Sequence, residues 1–202
     1  MTRIAVFDFD GTIYKKDSLI EFCKYIYGRN PWRIFFIFFQ IGALLLYKFK
    51  FISTTKFKQL FLIYLMGIDA SKLQKFVADF WLKERTNMNE QVLKLAQKAK
   101  DENAELIVAS ASPDFMLTSF SHSLGFSKCI ATITTYTNNV YKIQGLNCRA
   151  NQKYSRLEQA FPQGFEIVYA VSDNHDDSFI LSKAQFAFSI VAHQLKSYHE
   201  KN

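Results

Sequence analysis

Hydrophobic residues recur along this chain in two rhythms. At the start, Ile4, Ala5, Val6 and Phe7 form a continuous apolar run that stops at Asp8 and Gly11, the pattern of a short buried strand over Arg3–Phe9. From Asp17 the spacing changes. Leu19, Ile20, Phe22, Cys23 and Ile26 fit one helical face, and Gly28 with Asn30-Pro31 ends that helix and opens another. Residues 34–47, IFFIFFQIGALLLY, are apolar except for Gln40. As a helix this run spans about 21 Å, short of a hydrocarbon core of about 30 Å. Two further helical patterns follow, over Thr54–Met66 and Ala70–Glu84, the second capped by Asp69 or Ser71.

Beyond Asn89, strand and helix signals alternate. Gln91–Lys100 has helical spacing, and Glu105–Ala109 is a short strand. Ser112-Pro113 carries the hydroxyl and proline of a helix start, with Gly125 as its stop. Ile130–Tyr136 and Val140–Ile143 flank Asn138-Asn139, a hairpin signal because Asn tolerates positive φ. Asn151–Phe161 is helical, Glu166–Val171 a strand, Ser178–Ala184 a helix and Phe186–Val191 a last strand. This alternation predicts an α/β fold: a Rossmann-like, doubly wound parallel sheet covered on both faces, with one β-hairpin. The helical block interrupts it after the first strand. The expected organisation is therefore a core domain from residues 1–14 and 89–202, with a helical cap domain inserted at 15–88.

Composition narrows the class. The 202 residues are 49% hydrophobic and 21% charged, with 7 Gly and 3 Pro, which excludes disordered, collagen-like and low-complexity chains. Cys23, Cys129 and Cys148 lie far apart, so neither a disulfide framework nor a structural zinc site is expected, and a reducing, cytoplasmic compartment is. The start, MTRIAVFDFDGT, puts two carboxylates where a signal peptide needs its apolar stretch. The net charge of +7 is local: residues 15–58 hold nine basic side chains against two acidic ones, and the remainder balances at sixteen of each. That stretch also contains the most apolar run. Basic and aromatic together suit an anionic partner, and Arg29, Arg33, Lys48 and Lys50 around the run suit a short helix lying on an anionic membrane. In that case several of Phe35, Phe36, Phe38, Phe39, Leu44 and Leu45 should face solvent as one patch. The competing account is a soluble insert with a Phe-rich core. No nucleic-acid-binding motif is present, and no nucleic-acid partner is expected.

Candidate chemistry lies where open α/β sheets place it, at the carboxyl ends of the strands. The first strand leads into Asp8-Phe9-Asp10-Gly11-Thr12. Residues i and i+2 of a strand share a face, which would bring two carboxylates together and call for a cation or a shared proton. Ser110 ends the second strand beside a helix start, a place for a phosphate oxygen. Lys153, one turn into its helix, could neutralise a phosphate. After Glu166–Val171 come Asp173, Asp176 and Asp177, three carboxylates suited to a hard cation such as Mg²⁺.

Carboxylate pair, hydroxyl, lysine and carboxylate cluster, in that order over Ile4–Val191, resemble the haloacid dehalogenase-like hydrolase superfamily. The large helical insert is similar to the four-helix cap of its phosphoserine phosphatase branch. The sequences DFDGTIYKKD and SDNHDD, the apolar stretch after Arg29-Asn30-Pro31 and the spacing from Cys148 to Lys153 are most similar to phosphatidylglycerophosphatases within it. The resemblance implies a Mg²⁺-dependent phosphomonoesterase. Asp8 would be the nucleophile that forms an aspartyl-phosphate, and Asp10 the general acid and base. Ser110 and Lys153 would bind the phosphoryl group. Asp8, the Asp10 carbonyl and Asp173 would ligate Mg²⁺, with Asp177 orienting a metal-bound water or Lys153. The substrate is then a phosphomonoester, either a phospholipid reached from the inner face of the membrane or a small soluble metabolite. A catalytically idle membrane-surface module is the alternative of a different class.

Overall fold

In the computed structural model, which describes residues 1–198, the first apolar run forms strand β1 (Thr2–Phe7). Its side chains alternate between two cores: Ala5 and Phe7 join one cluster, Ile4 and Val6 the other. A strand buried on both faces belongs at the centre of a sheet. β1 indeed pairs in parallel with β2 (Glu105–Pro113) on one side and β6 (Phe165–Ser172) on the other. With β3 (Lys128–Thr132), β7 (Phe186–Val191) and β8 (Gln194–Ser197), the six-stranded order is β3-β2-β1-β6-β7-β8, parallel except for β8. The chain moves outward from β1 on one side and returns to pair β6 on the other. The crevice where that direction changes is where such sheets bind ligands. Helices α5 (Glu90–Asp101), α6 (Asp114–Ser123), α7 (Asn151–Ala160) and α8 (Ser178–Ser182) accompany the strands.

Three local expectations are corrected. β2 runs on through Pro113, which pairs with Thr132, so Ser112 is strand and caps nothing; α6 begins at Asp114 without a side-chain cap. The run Ile130–Tyr136 breaks at Ile133 into β3 and β4 (Thr134–Thr137), because Asp114 captures the Thr134 main-chain N–H and hydroxyl and turns the chain away. β4 then forms the expected hairpin with β5 (Val140–Ile143) across Asn138 and Asn139, both at positive φ. β8 had no apolar signal. It is joined to β7 by Ala192 and His193 at φ 50° and 63°, residues that do not advertise such a turn.

Helices α1 (Ser18–Arg29), α2 (Phe36–Lys48), α3 (Thr54–Phe61) and α4 (Ala70–Glu84) lie between β1 and α5. Asp17 and Asp69 cap α1 and α4 through their carboxylates. The insert meets the sheet domain through stacked aromatics: Trp81 lies flat on Phe120, with ring centroids 4.2 Å apart, and its indole N–H donates to the Met116 carbonyl at 2.7 Å.

The apolar stretch is inside out. Its one polar residue, Gln40, is buried, donating to the Phe61 carbonyl at 3.0 Å and accepting from the Tyr27 hydroxyl at 2.7 Å. Of the named apolar side chains only Phe36 is buried; Phe35, Phe38, Phe39, Leu44 and Leu45 are exposed, Phe38 at 70%. The helical stretch Pro31–Lys48 has 18 residues and a mean hydropathy of 1.2, and only 22% of it is buried. Its basic flank is thinner than the sequence suggests. Arg33 is buried and donates to the carbonyls of Tyr64 and Met66, and Arg29 is paired with Asp79 at 3.1 Å. Lys48 and Lys50 stay exposed.

Candidate active site

Six of the seven residues singled out in the sequence line one cavity of about 590 Å³ at the carboxyl edge of the sheet: Asp8, Asp10, Ser110, Lys153, Asp173 and Asp177, but not Asp176. The route differs from the expectation for the first pair. β1 ends at Phe7, so Asp8 and Asp10 do not share a strand face. Asp8 still donates its main-chain N–H to the Val171 carbonyl, after which the chain turns tightly, with the N–H groups of Thr12 and Tyr14 both directed at the Phe9 carbonyl.

The two carboxylates consequently meet different surroundings. Lys153, almost fully buried, donates to Asp8 Oδ1 at 2.8 Å and to Asp177 Oδ2 at 2.6 Å. Burial pulls its pKa down, but the two carboxylates outweigh burial and hold it above the ordinary lysine range. Asp177 is fixed from the other side by the Ser172 hydroxyl at 2.7 Å, and burial leaves its pKa above the usual carboxylate value even with Lys153 alongside. Asp177 thus shares the Lys153 ammonium with Asp8. Asp176 turns away and pairs with Arg149.

Asp10 lies under the insert, where the Ser18 N–H donates to Oδ1 at 2.7 Å and the Ser112 hydroxyl donates to Oδ2. Burial and then the Asp17 charge push its pKa up to about 6, against the pull of those two donors. A group of this kind exchanges a proton near neutral pH. Ser110 is buried, and its hydroxyl accepts the Ser112 N–H at 3.0 Å.

Asp173 is held by Thr12, whose hydroxyl accepts the Asp173 N–H at 3.0 Å and reaches Oδ1 at 3.4 Å. Burial and then the neighbouring Asp8 charge raise its pKa to about 6. Gly11 makes this approach feasible. It sits at φ 73°, and a Cβ there would stand 2.1 Å from Asp173 Oδ2. Gly11→Ala should therefore displace the Asp173 carboxylate. We expect at least about a hundredfold loss of turnover, as when a positioning residue of an active site is misplaced by about 1 Å, with far-ultraviolet circular dichroism unchanged. Full activity in Gly11→Ala would mean that the position of Asp173 is immaterial.

The sequence reading missed several residues of this site. Thr12, Ser18, Ser112 and Ser172 hold the carboxylates, and Lys58, Asn147 and Arg149 line the cavity. Ser172 carried a signal, a hydroxyl directly before Asp173. The others are brought in by tertiary folding alone.

Comparison with known proteins bears on the fold and the family. The family model described as haloacid dehalogenase-like hydrolase matches residues 5–181. Protein CicA of Caulobacter vibrioides is 26% identical over 191 residues, covering 90% of this chain and 82% of that protein. Among solved structures, a protein of unknown function from Bordetella pertussis superposes with a TM-score of 0.77 at 19% identity, covering 90% of this chain and 86% of the other. A phosphoserine phosphatase solved as a phospho-aspartyl intermediate analogue superposes with a TM-score of 0.62 at 15% identity, covering 92% and 85%. The match over residues 5–181 spans most of the sequence and every site residue described above, and on that ground the chain belongs to the haloacid dehalogenase-like hydrolase family.

Proposed function

We propose that this protein is a Mg²⁺-dependent phosphomonoester phosphatase acting through an aspartyl-phosphate on Asp8, with a lipid phosphate such as phosphatidylglycerophosphate as substrate. The observation that carries the phosphatase reading is the clamped lysine: Lys153 is buried between Asp8 and Asp177, at a cavity that Asp10 and Asp173 also line.

The residues fit a hard divalent cation. Asp8 and Asp173 are close enough that the charge of Asp8 raises the pKa of Asp173, and such a pair repels unless a cation or proton is shared. Among the described residues no three His, Cys, Asp or Glu side chains form a metal cluster. Asp8, Asp173 and the Asp10 main-chain carbonyl would hold the ion, the set that the family resemblance implies and one whose oxygens suit Mg²⁺. When bound, Mg²⁺ supplies charge neutralisation on the phosphoryl oxygens.

The chain does the rest. Lys153 and the Ser110 hydroxyl hold phosphoryl oxygens while an Asp8 oxygen attacks phosphorus in line with the leaving alkoxide. As the phosphorus–alkoxide bond breaks, Asp10 hands its proton to the alkoxide. Water then attacks the aspartyl-phosphate, Asp10 takes a proton from it, and phosphate leaves with Asp8 restored. Helices α1–α4 act as the cap that covers these steps.

The lipid part of the reading rests on the exposed apolar face of α2. Fixed to the insert by Phe36, Gln40 and Ala43, this helix presents its aromatic side chains outward beside Lys48 and Lys50. That suits a helix lying in the interface of an anionic bilayer, and supports reading the enzyme as peripheral on the inner face of the membrane. With Arg29 and Arg33 engaged elsewhere, apolar insertion outweighs charge attraction, so salt should weaken binding without abolishing it.

The test compares phosphatidylglycerophosphate in mixed micelles with phosphoserine and other soluble monoesters, alongside sedimentation with anionic vesicles. We expect the lipid to be preferred at least about tenfold in kcat/KM, a difference of about 1.4 kcal/mol. Phe38→Asp with Phe39→Asp should lose vesicle binding. A preference for soluble monoesters without vesicle binding at low salt would replace the lipid by a metabolite. Absence of phosphate release from every substrate would leave only a binding module.

A further inference from the structure

Part of the cavity wall is not used by the steps above, and that part is built from donors. Lys58 reaches in from α3 of the insert, and its ammonium donates to the Ala111 carbonyl at 2.7 Å, the residue next to Ser110. It forms no ion pair among the described residues. Burial lowers its pKa, with Asp10 and Asp17 facing it as anions and Arg149 as a cation. Asn147 also lines the cavity and is 94% buried, since its exposure is 6%. Its Oδ1 accepts from the Thr132 hydroxyl at 2.9 Å, while its Nδ2 is buried with no hydrogen-bond partner. A buried donor left unpaired is costly, and a small shift of the Asn147 side chain towards the cavity would let a ligand acceptor satisfy it. Arg149 also lines the cavity and brings a cation to it; its Nε is engaged by Asp176, and the Tyr47 hydroxyl lies against its guanidinium.

These three donors differ in origin from the phosphoryl site. Lys153 is ion-paired with both Asp8 and Asp177, which leaves one N–H for the transferred phosphoryl, whereas Lys58 and Asn147 have donor capacity and no carboxylate bound to them. We propose that Lys58, Asn147 and Arg149 form a second anion subsite, so that the preferred substrate is a phosphomonoester carrying a further anionic group a few atoms from the scissile bond. The inference rests on the phosphatase reading and deepens it. Asp10 and Asp17, close to Lys58, set a limit on where that group can lie: it must approach from the side of Arg149. A phosphodiester and a carboxylate share the needed chemistry. Only the first is what a glycerophospholipid phosphate presents.

The experiment uses four soluble substrates with the full-length protein and Mg²⁺. p-Nitrophenyl phosphate and glycerol 1-phosphate carry no second anion, glycerophosphoglycerol phosphate carries a phosphodiester, and phosphoserine carries a carboxylate. The readout is the ratio of kcat/KM for each doubly anionic substrate to that for p-nitrophenyl phosphate. Lys58→Met should lower the ratio about tenfold to a hundredfold, the range for a hydrogen bond to a charged group. The loss should fall mainly in KM, with Lys58→Arg restoring most of the ratio and Asn147→Ala lowering it in the same sense. Whichever doubly anionic substrate shows the drop identifies the second group. An unchanged ratio in Lys58→Met and Asn147→Ala would overturn the subsite, and so would equal losses on all four substrates, because Lys58 would then contact the transferred phosphoryl itself. Melting temperatures of each variant separate these outcomes from unfolding. Wild-type protein that releases phosphate from none of the four fails the phosphatase reading and the subsite with it, whereas wild-type activity with an unchanged ratio fails the subsite alone.

Discussion

Asp8→Asn should abolish phosphate release from p-nitrophenyl phosphate, lowering kcat at least about 10⁴-fold, within the range seen when a catalytic nucleophile is removed. The substitution keeps shape and removes charge. An amide oxygen in place of Asp8 Oδ1 could still accept from Lys153, so the main structural contact at 2.8 Å survives. Lys153 also keeps its 2.6 Å partner Asp177, and the fold should persist. A neutral amide, however, does not displace an alkoxide from phosphorus, and a metal site relying on two carboxylates and a carbonyl would lose one of its charges. The loss should therefore appear in kcat, with unfolding by urea little altered. Acid-quenched wild-type enzyme should carry a phosphoryl group on the peptide containing Asp8, and the variant none. A variant retaining about a tenth of wild-type turnover, or a phosphoryl group found on another peptide, would assign the nucleophile elsewhere.

Much of this arrangement was legible in the sequence because local chemistry and tertiary structure agree there. Asp17 and Asp69 cap helices as their positions suggest, Gly125 ends α6 at positive φ, and Asn138-Asn139 makes the hairpin turn. The six candidate site residues converge because the carboxyl ends of parallel strands share one edge of the sheet. What was not legible depends on partners distant in the chain. Ser112-Pro113 has the composition of a helix start, yet pairing with β3 extends the strand through it, and its hydroxyl serves Asp10, 102 residues away. Gln40 reads as a polar interruption of a buried helix. Its hydrogen bonds to Tyr27 and Phe61 instead make it the buried side and turn the phenylalanines outward. Arg33 reads as a membrane-facing cation, and two main-chain carbonyls of the Leu62–Met66 turn take it inward. Lys58, in a helix with no fully buried residue, looks like any solvent-facing lysine until the insert folds over Ala111.

Lys153→Met should destabilise the protein by about 3–5 kcal/mol at neutral pH, the usual cost of removing one partner from a buried ion pair. The side chain is 4% exposed and its ammonium is the shared partner of Asp8 and Asp177. Methionine fills much of the same volume, so the loss is electrostatic and not a cavity effect. Without the cation, Asp177 keeps only the Ser172 hydroxyl, and burial, which already raises its pKa, acts with nothing positive beside it. A carboxyl whose folded pKa lies above its unfolded value favours folding when protonated. That contribution is present in full below the unfolded carboxylate value of about 4 and is lost as pH rises towards the folded value. The stability gap between wild type and Lys153→Met should therefore be wide at neutral pH and narrow as the solution is acidified towards the unfolded carboxylate value of about 4, where the stranded carboxyl is protonated in both states. Urea unfolding of both proteins across that range measures it directly. A variant as stable as wild type at neutral pH, or a gap that stays constant into acid, would mean that Lys153 does not carry the charge balance of the site.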